Sequence, residues 1–368
     1  MPPLNLLIKP ASGRCNMRCR YCFYADETAR REVKDYGIMR EDVLETVIRK
    51  ALSQAEYKCT FGFQGGEPTL CGLDFYRRAV ELQKKYNVHN VVIENALQTN
   101  GLLINDEWAQ FLSENKFLVG LSVDGSAGVH NKNRVDMKGE GTLSRVLDAA
   151  KLLEKHKCDF NVLTVVTDAT AQKLDLIYDF FARHNLRWQQ YIPCLDAFGE
   201  DDGWLTAKGY AQFLKKLFDR WADDVMNGRF IYIRQFENYL GMLLGRPAES
   251  CGMMGCCSMQ YVVEADGGVY PCDFYVLDEY RLGSFMEMDF EDIDRKRREM
   301  KFIEKSMEKD ENCYKCPWHP LCRGGCRRDR DMGNGELQRS RLCAAYQEFF
   351  PYALPRLQLI AQRIAQGK

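Results

Sequence analysis

The sequence predicts an α/β fold: a parallel sheet built from six βα units in the first half, followed by a cysteine-rich region in the last third. Three observations carry that reading. Short β-rich runs alternate with stretches of helical period up to about residue 192, polar and glycine-rich segments follow the runs at one end, and cysteines crowd between residues 251 and 343. The runs place strands near residues 5–8, 59–63, 90–95, 117–122, 160–166 and 187–192. Between them, Val43, Leu44, Val47, Ile48, Ala51 and Leu52, and later Leu143, Val146, Leu147, Ala150 and Leu153, recur with the spacing of one helix face. A βα order repeated six times implies parallel strands joined by right-handed crossovers. Periodicity alone leaves open whether such a sheet closes.

In barrels of this construction the chemistry sits on loops at the C-terminal ends of the strands. The first strand is followed by Cys15-Asn16-Met17-Arg18-Cys19-Arg20-Tyr21-Cys22 and the second by Gln64-Gly65-Gly66-Glu67-Pro68. Gln98-Thr99-Asn100-Gly101 follows the third and Ser122-Val123-Asp124-Gly125 the fourth. From about 205 to 244 the pattern turns helical, with Tyr210, Phe213, Leu214, Leu217, Phe218 and Trp221 forming an apolar stripe that reads as core. The charged run 294–310 reads as a solvated face, and the tail after Tyr346 as a terminal helix. The expected division is residues 1–204 for the sheet domain, 205–250 for a helical connector, 251–345 for the cysteine-rich domain and 346–368 for the last helix.

A formal net charge of -1 gives no reason to expect a nucleic acid or an anionic membrane as partner. No run approaches the ~18 apolar residues of a membrane span, and the N-terminal residues lack the basic start and apolar stretch of an export signal. A cytoplasmic protein is expected, in which the 16 cysteines serve as thiolate metal ligands rather than disulfides.

The motif C-x3-C-x2-C supplies three thiolates from one loop and no fourth. A closed zinc site or an electron-transfer 4Fe-4S cluster takes four protein ligands, so three leave a metal position open for a small molecule. The nearest histidine in sequence is His89, which argues against zinc held by three cysteines and a histidine. Cys15, Cys19 and Cys22, with the aromatic Tyr21 between the last two, resemble the signature of the radical S-adenosylmethionine (SAM) superfamily. The resemblance implies an open (β/α)6 partial barrel and a 4Fe-4S cluster whose bare iron is chelated by SAM. It further implies reductive cleavage of SAM to a 5′-deoxyadenosyl radical that takes hydrogen from a substrate.

Gly65-Gly66-Glu67-Pro68 resembles the family's GGEP element, which implies contact between backbone carbonyls near Gly66 and the SAM amino group; a plain β-turn is the simpler alternative. Ser122-Val123-Asp124-Gly125, with His130-Asn131 and Arg134, resembles a pattern of the peptide-modifying branch, although Asn131 replaces the usual aspartate. Arg134 can clamp the SAM carboxylate and Ser122 its polar groups, or Arg134 can be a surface ion-pair partner. Gln64, Gln98 and Leu195 lie at strand ends facing the same rim, as contacts to SAM or substrate or as loop packing.

Cys257, Gly267, Cys272, Cys313, Cys316, Cys322, Cys326 and Cys343 resemble in spacing the SPASM domain, an extension of radical SAM enzymes that modify peptides and proteins. With Cys251 upstream there are thiols for two fully ligated 4Fe-4S clusters. The resemblance implies Cys251, Cys257, Cys272 and Cys326 for one, and Cys313, Cys316, Cys322 and Cys343 for the other. Cys256 satisfies the same spacing as Cys257, and a four-cysteine zinc site remains open for C-x2-C-x5-C-x3-C. Arg323, Arg327, Arg328 and Arg330 crowd the second group, as counter-charge or as a solvated basic loop. Cys59, Cys71, Cys158 and Cys194 are assigned no role.

Along nearly its whole length the chain is similar to the anaerobic sulfatase-maturating enzymes. That likeness implies oxidation of a cysteine or serine in an unfolded sulfatase segment, of Cys/Ser-x-Pro-x-Arg type, to Cα-formylglycine. It also implies that Asp273, directly after Cys272, is the general base, its basicity raised by desolvation beside a cluster; a turn aspartate is the plain alternative. Tyr24 is a candidate to position the peptide or the proton acceptor. Three 4Fe-4S clusters, SAM, an electron donor such as flavodoxin or ferredoxin, and a monomeric state complete the expectation. One rival is a peptide maturase forming thioether or other crosslinks. Such enzymes often carry an extra N-terminal recognition domain, for which the fourteen residues before Cys15 leave no room. Another, a non-catalytic electron carrier, gives no purpose to the three-thiolate loop or to Gly65, Gly66, Glu67 and Pro68.

Overall fold

The computed structural model describes residues 3–331, 333 and 336–366. The outermost residues of the first and last expected segments (1–2 and 367–368), and 332, 334 and 335 within the cysteine-rich one, lie outside the described residues. In chain order the strands are β1 (Leu4–Lys9), β2 (Lys58–Phe63), β3 (Val92–Thr99), β4 (Phe117–Ser122), β5 (Phe160–Val166), β6 (Trp188–Pro193), β7 (Tyr232–Ile233), β8 (Tyr261–Glu264), β9 (Gly268–Tyr270) and β10 (Gly283–Ser284). β1 to β6 occupy the expected places. The third is the exception in its bounds: Gln98 and Thr99, expected in a loop, pair with Gly120 and Leu121 and belong to the strand.

Two compact units emerge, and neither follows the chain in one piece. The first comprises Met1–Ser122, Asn131–Phe160 and Met259–Phe302. Its strands run in the order β10-β9-β8-β1-β2-β3-β4. β1 to β4 are parallel neighbours, and β8 adds in parallel to the free side of β1, with the antiparallel pairs β8–β9 and β9–β10 beyond it. The helix Glu41–Gln54 buries Val43, Leu44, Val47, Ile48, Ala51 and Leu52, the stripe its periodicity marks. Each of the valine, leucine and isoleucine side chains among them contributes about 1.5–3 kcal/mol relative to exposure. Phe63, Tyr76 and Phe117 meet in one aromatic cluster beneath the strands. The pairing of β1 with β8 sets Lys9 beside Glu264, two charges at the rim end of the sheet.

The second unit comprises Val123–His130, Asn161–Ser258 and Ile303–Lys368. β5, β6 and β7 are parallel neighbours in it. The helix Ala207–Met226 buries its whole predicted stripe, and Phe218 packs against Phe236 of helix Arg234–Leu243 and Phe349 of the terminal helix. That last helix spans Cys343–Ala365, beginning three residues before its expected start, so that Cys343 is its first residue. Among the described residues no helix is long and apolar enough to cross a membrane. The charged run 294–310 departs from its reading as a solvated face at Arg297, Phe302 and Ser306, which are 2%, 1% and 1% exposed.

Candidate active site

The cysteine loop leaves the end of β1 and is held by backbone pairing with a distant segment. Arg18 N donates to Val135 O at 2.8 Å, Arg20 N donates to Asn133 O at 3.1 Å, and Met17 bridges Asp136. This pairing carries Arg134 to the loop, where its guanidinium carbon sits 5.5 Å from the Tyr21 ring centre. Cys22 is the residue that precedes the first turn of helix Phe23–Arg30. Burial pushes the Cys15 thiol up to about 12, with Glu67, Cys19 and Cys22 adding to it and the N–H of Met17 opposing. Three thiols from one loop can hold iron together as thiolates.

The glycine-rich loop after β2 is clamped onto the cysteine loop, backbone against backbone. Gly66 N donates to Ser12 O at 2.9 Å and Glu67 N donates to Arg14 O at 2.7 Å. A Cβ on Gly66 would lie 2.0 Å from Arg14 O, so only glycine fits. The buried Glu67 carboxylate accepts from Asn100 N at 2.8 Å, from Thr99 Oγ1 at 2.7 Å and from Thr69 N at 3.1 Å, the last capping the short turn Pro68–Cys71. Burial pushes its pKa up while these hydrogen bonds oppose. Asn100 in turn donates to Asn16 Oδ1 at 2.7 Å and lies 3.8 Å from Cys15 Sγ. The exit of β3 is thereby tied to the cysteine loop.

Of the candidate SAM contacts, Tyr21, Gln64, Gly66, Gln98, Ser122 and Arg134 fall in the first unit, with Ser122 ending β4 and 8% exposed. Leu195 falls in the second, after β6. There Arg341 Nη2 donates to Cys194 O at 2.6 Å and Arg328 Nη2 donates to Asp196 O at 2.9 Å, fixing the carbonyls on either side of it. Asp124 builds a loop: its Oδ1 accepts from Val165 N at 3.0 Å and its N–H meets His130 Nδ1 at 3.2 Å. Asn131 does likewise, its Oδ1 accepting from Leu143 N at 3.0 Å.

Asp273 opens the short 3-10 turn Asp273–Tyr275 immediately after Cys272. Lys9 Nζ lies 2.6 Å from Asp273 Oδ1 as a close ion pair rather than an aligned hydrogen bond, and Gln64 Nε2 donates to Oδ2 at 3.1 Å. The Lys9 side chain is fully buried and its ammonium stands 3.6 Å above the Tyr24 ring centre. The Tyr24 hydroxyl donates to Glu264 Oε1, and Arg31 Nη1 donates to the same oxygen at 2.7 Å. Both side chains of the Arg31–Glu264 pair are fully buried. Burial works against the Arg31 charge, yet Glu264 holds the guanidinium above its usual value. Burial, reinforced by Glu264, keeps the Tyr24 hydroxyl well above its usual range, so it remains a donor.

Desolvation is therefore not the whole environment of Asp273; an ammonium and an amide grip it. Sequence reasoning missed Lys9, Arg31 and Glu264. A usable signal exists for two of them: Lys9 closes the run Leu-Asn-Leu-Leu-Ile-Lys and Glu264 closes Tyr-Val-Val-Glu, each a charge at the rim end of an apolar strand.

Cys313, Cys316, Cys322 and Cys343 line one cavity, with His319 and Arg339 at its wall. Burial pushes the Cys322 thiol up to about 11, and Cys343, Cys313 and Cys316 add to the effect. Cys251 opens the turn Cys251–Met253, Gly252 packs against Cys326, and Cys257 N donates to Ser306 Oγ at 2.8 Å. Burial, and then Asp329, Cys251 and Cys257, raise the Cys326 thiol above its usual range. Cys272 comes after β9 in the first unit. Four thiols around a common space, and three more acting on one another, fit thiolate-ligated clusters. Cys59, Cys158 and Cys194 are buried and Cys71 half-buried, as packing residues are.

A family model for the radical SAM superfamily matches residues 10–181, and one for SPASM, an iron-sulfur cluster-binding domain, matches residues 251–317. The cysteine-type anaerobic sulfatase-maturating enzyme of Clostridium perfringens is 49% identical over 99% of this chain and 100% of its own length. That of Clostridium novyi is 44% identical over 99% of both, and the serine-type enzyme of Klebsiella aerogenes 32% identical over 95% of this chain and 84% of its own. A solved structure of native anSMEcpe with bound AdoMet and Cp18Cys peptide matches with a TM-score of 0.94 at 48% identity, covering 99% of this chain and 100% of that one. The fold class is accordingly an α/β (β/α)6 partial barrel with a SPASM domain, and the cofactors are iron-sulfur clusters and SAM. The chain belongs to the radical SAM superfamily and, within its SPASM-bearing branch, to the anaerobic sulfatase-maturating enzymes.

Proposed function

We propose that this enzyme oxidises a cysteine of a sulfatase polypeptide to Cα-formylglycine, with Asp273 as the proton acceptor. The observation that carries the assignment of the base is the double grip on its carboxylate, by Lys9 at Oδ1 and Gln64 at Oδ2. An ionised carboxylate offers about four acceptor positions, so the Lys9 ion pair and the Gln64 hydrogen bond fix its orientation and leave others for a substrate proton. When bound, the cluster on Cys15, Cys19 and Cys22 together with SAM supplies the adenosyl radical that takes a β-hydrogen from the target residue. Asp273 then accepts the thiol proton. The one further electron that must leave the substrate would pass to the auxiliary cluster that Cys251, Cys257, Cys272 and Cys326 would hold, so that the cysteine becomes a thioaldehyde, which water converts to the aldehyde with release of sulfide.

In this reading Gly66 holds the SAM amino group through its close-packed backbone, Arg134 the carboxylate, and Tyr21, Ser122, Gln98 and Leu195 the remainder. Tyr24 acts through Lys9 to position the base. Cys251, Cys257, Cys272 and Cys326 hold one auxiliary 4Fe-4S cluster, and Cys313, Cys316, Cys322 and Cys343 the other. Residues 1–204, 205–250, 251–345 and 346–368 are the barrel, connector, SPASM domain and final helix. Higher identity to cysteine-type than to serine-type relatives supports cysteine as the preferred target. A flavodoxin or ferredoxin as electron donor, a monomeric state and a cytoplasmic setting belong to the same proposal.

The test is incubation of anaerobically reconstituted protein with SAM, a reductant and a peptide containing Cys-x-Pro-x-Arg. Mass spectrometry should show an aldehyde at the cysteine, and iron analysis about twelve irons per chain. A crosslinked product, or SAM cleavage without peptide oxidation, would overturn the assignment.

A further inference from the structure

The loop 194–206, which joins β6 to helix Ala207–Met226 within the second unit, is held in two different ways. Part of it is tied to itself: Trp204 N donates to Asp196 Oδ1 at 3.1 Å and Ala197 N donates to Asp202 Oδ2 at 3.0 Å. Its first residues are held instead by two arginines lying 132 and 147 residues further along the chain. Arg341 Nη2 donates to Cys194 O at 2.6 Å and Nη1 donates to Leu205 O at 3.3 Å, so one guanidinium joins the two ends of the loop. Arg328 Nη2 donates to Asp196 O at 2.9 Å, and its guanidinium lies 4.5 Å from the Phe198 ring centre. Charged donors make these hydrogen bonds stronger than an amide would.

Neither arginine is a loose surface charge. Arg328 is 9% exposed, and its own N–H donates to Cys326 Sγ at 3.4 Å. Arg341 is fixed through Asp329, whose Oδ1 accepts from Nε at 2.9 Å and whose carbonyl accepts from Arg341 N at 2.9 Å. Satisfying two carbonyls is by itself ordinary packing. The placement is what points further: the two carbonyls flank one residue, Leu195, and the two arginines stand two residues from Cys326 and Cys343.

We infer that Arg328 and Arg341 are positioning residues for SAM: they fix the backbone on both sides of Leu195 and so order its contact with the cofactor in advance. The role rests on the proposed contact of Leu195 with SAM, and it requires no contact between either guanidinium and SAM. A loop left free would have to be ordered at each binding event, at the expense of affinity. Because both side chains grow from the chain beside Cys326 and Cys343, the segment proposed to hold the auxiliary clusters also orders the loop that carries Leu195.

Equilibrium dialysis of SAM against the reconstituted full-length enzyme, without reductant or peptide, tests this on Arg341→Met, Arg328→Met and Leu195→Ala at matched iron content. Each should bind SAM about tenfold more weakly, as expected when a preordered contact is lost. In turnover, the arginine variants should raise the KM for SAM while kcat at saturating SAM stays within about twofold. Arg341→Lys keeps the charge but cannot span Cys194 O, Leu205 O and Asp329 at once, so it should recover only part of the loss. Unchanged affinity in the arginine variants, with Leu195→Ala weakened, overturns the positioning role alone; the two arginines then serve only stability, which thermal melting reads. Unchanged affinity in all three removes the Leu195 contact along with it. If the methionine variants do not fold, wild-type affinity in Arg341→Lys overturns the role equally.

Discussion

The cysteine loop and the Asp273 cradle both grow from the end of β1, yet they are made in opposite ways. In the loop, Cys15, Cys19 and Cys22 come from eight consecutive residues, and the fold only has to hold that segment in place through Val135, Asn133 and Asn100. In the cradle, Lys9, Tyr24, Arg31, Gln64, Glu264 and Asp273 come from four separate stretches of chain and meet because β8 pairs with β1. Ligand supply is thus local, whereas control of the base is tertiary. The difference predicts that the two halves of the chemistry separate on mutation. Damage to the loop removes radical generation, and damage to the cradle spares it and removes only the oxidation of the peptide.

The largest effect belongs to the loop. Cys19→Ala should abolish SAM cleavage and peptide oxidation together and lower iron by about four per chain. Asp273→Asn should behave differently, retaining SAM cleavage while aldehyde formation falls by about 10²- to 10⁴-fold, the range of a lost general base. Chromatography of 5′-deoxyadenosine beside mass spectrometry of the peptide reads both at once. Loss of SAM cleavage in the Asp273 variant would show that loop and cradle are one functional unit.

Next comes the ion pair beneath the cradle. Arg31→Met leaves Glu264 charged, fully buried and missing its cationic partner, a change that costs about 3–5 kcal/mol when one member of a buried pair is removed. Denaturant unfolding of the variant measures that loss. Cys19→Ala in the apo form serves as the comparison, since Cys19 has no part in this pair and should leave apo stability far less altered.

The same contrast explains how much is legible in the sequence. β4 and β5 appear at their expected bounds because each is a run of β-formers closed by turn residues. β3 reads too short in the sequence because Gln98 and Thr99 look like loop residues; only their pairing with Gly120 and Leu121 makes them strand. β9 and β10 span three and two residues and carry no periodicity to detect. Thiol spacing announces the cysteine chemistry, since ligands from one loop are a local pattern. The Lys9–Glu264 neighbourhood has no such pattern, because its partners are 255 residues apart and meet only through strand register. Arg297 shows the converse: its sequence surroundings are those of a solvated helix, and only tertiary packing turns it inward.

Tyr24 gives the smallest effect and the sharpest discrimination. Tyr24→Phe keeps the ring that lies 3.6 Å below the Lys9 ammonium and removes only the hydroxyl donated to Glu264. Glu264 still accepts from Arg31 at 2.7 Å through Oε1 and from Ala265 N at 3.2 Å through Oε2, so no acceptor is stranded. The loss is one hydrogen bond, about 1–2 kcal/mol of stability. Lys9 and Gln64 keep their hold on Asp273, so turnover should fall less than about tenfold, corresponding to 1.4 kcal/mol in the barrier. If Tyr24→Phe instead stops aldehyde formation as fully as Asp273→Asn while SAM cleavage continues, the hydroxyl must engage the substrate itself. Asp273 would then lose its standing as sole proton acceptor, and the cradle would have to be redrawn around two groups rather than one.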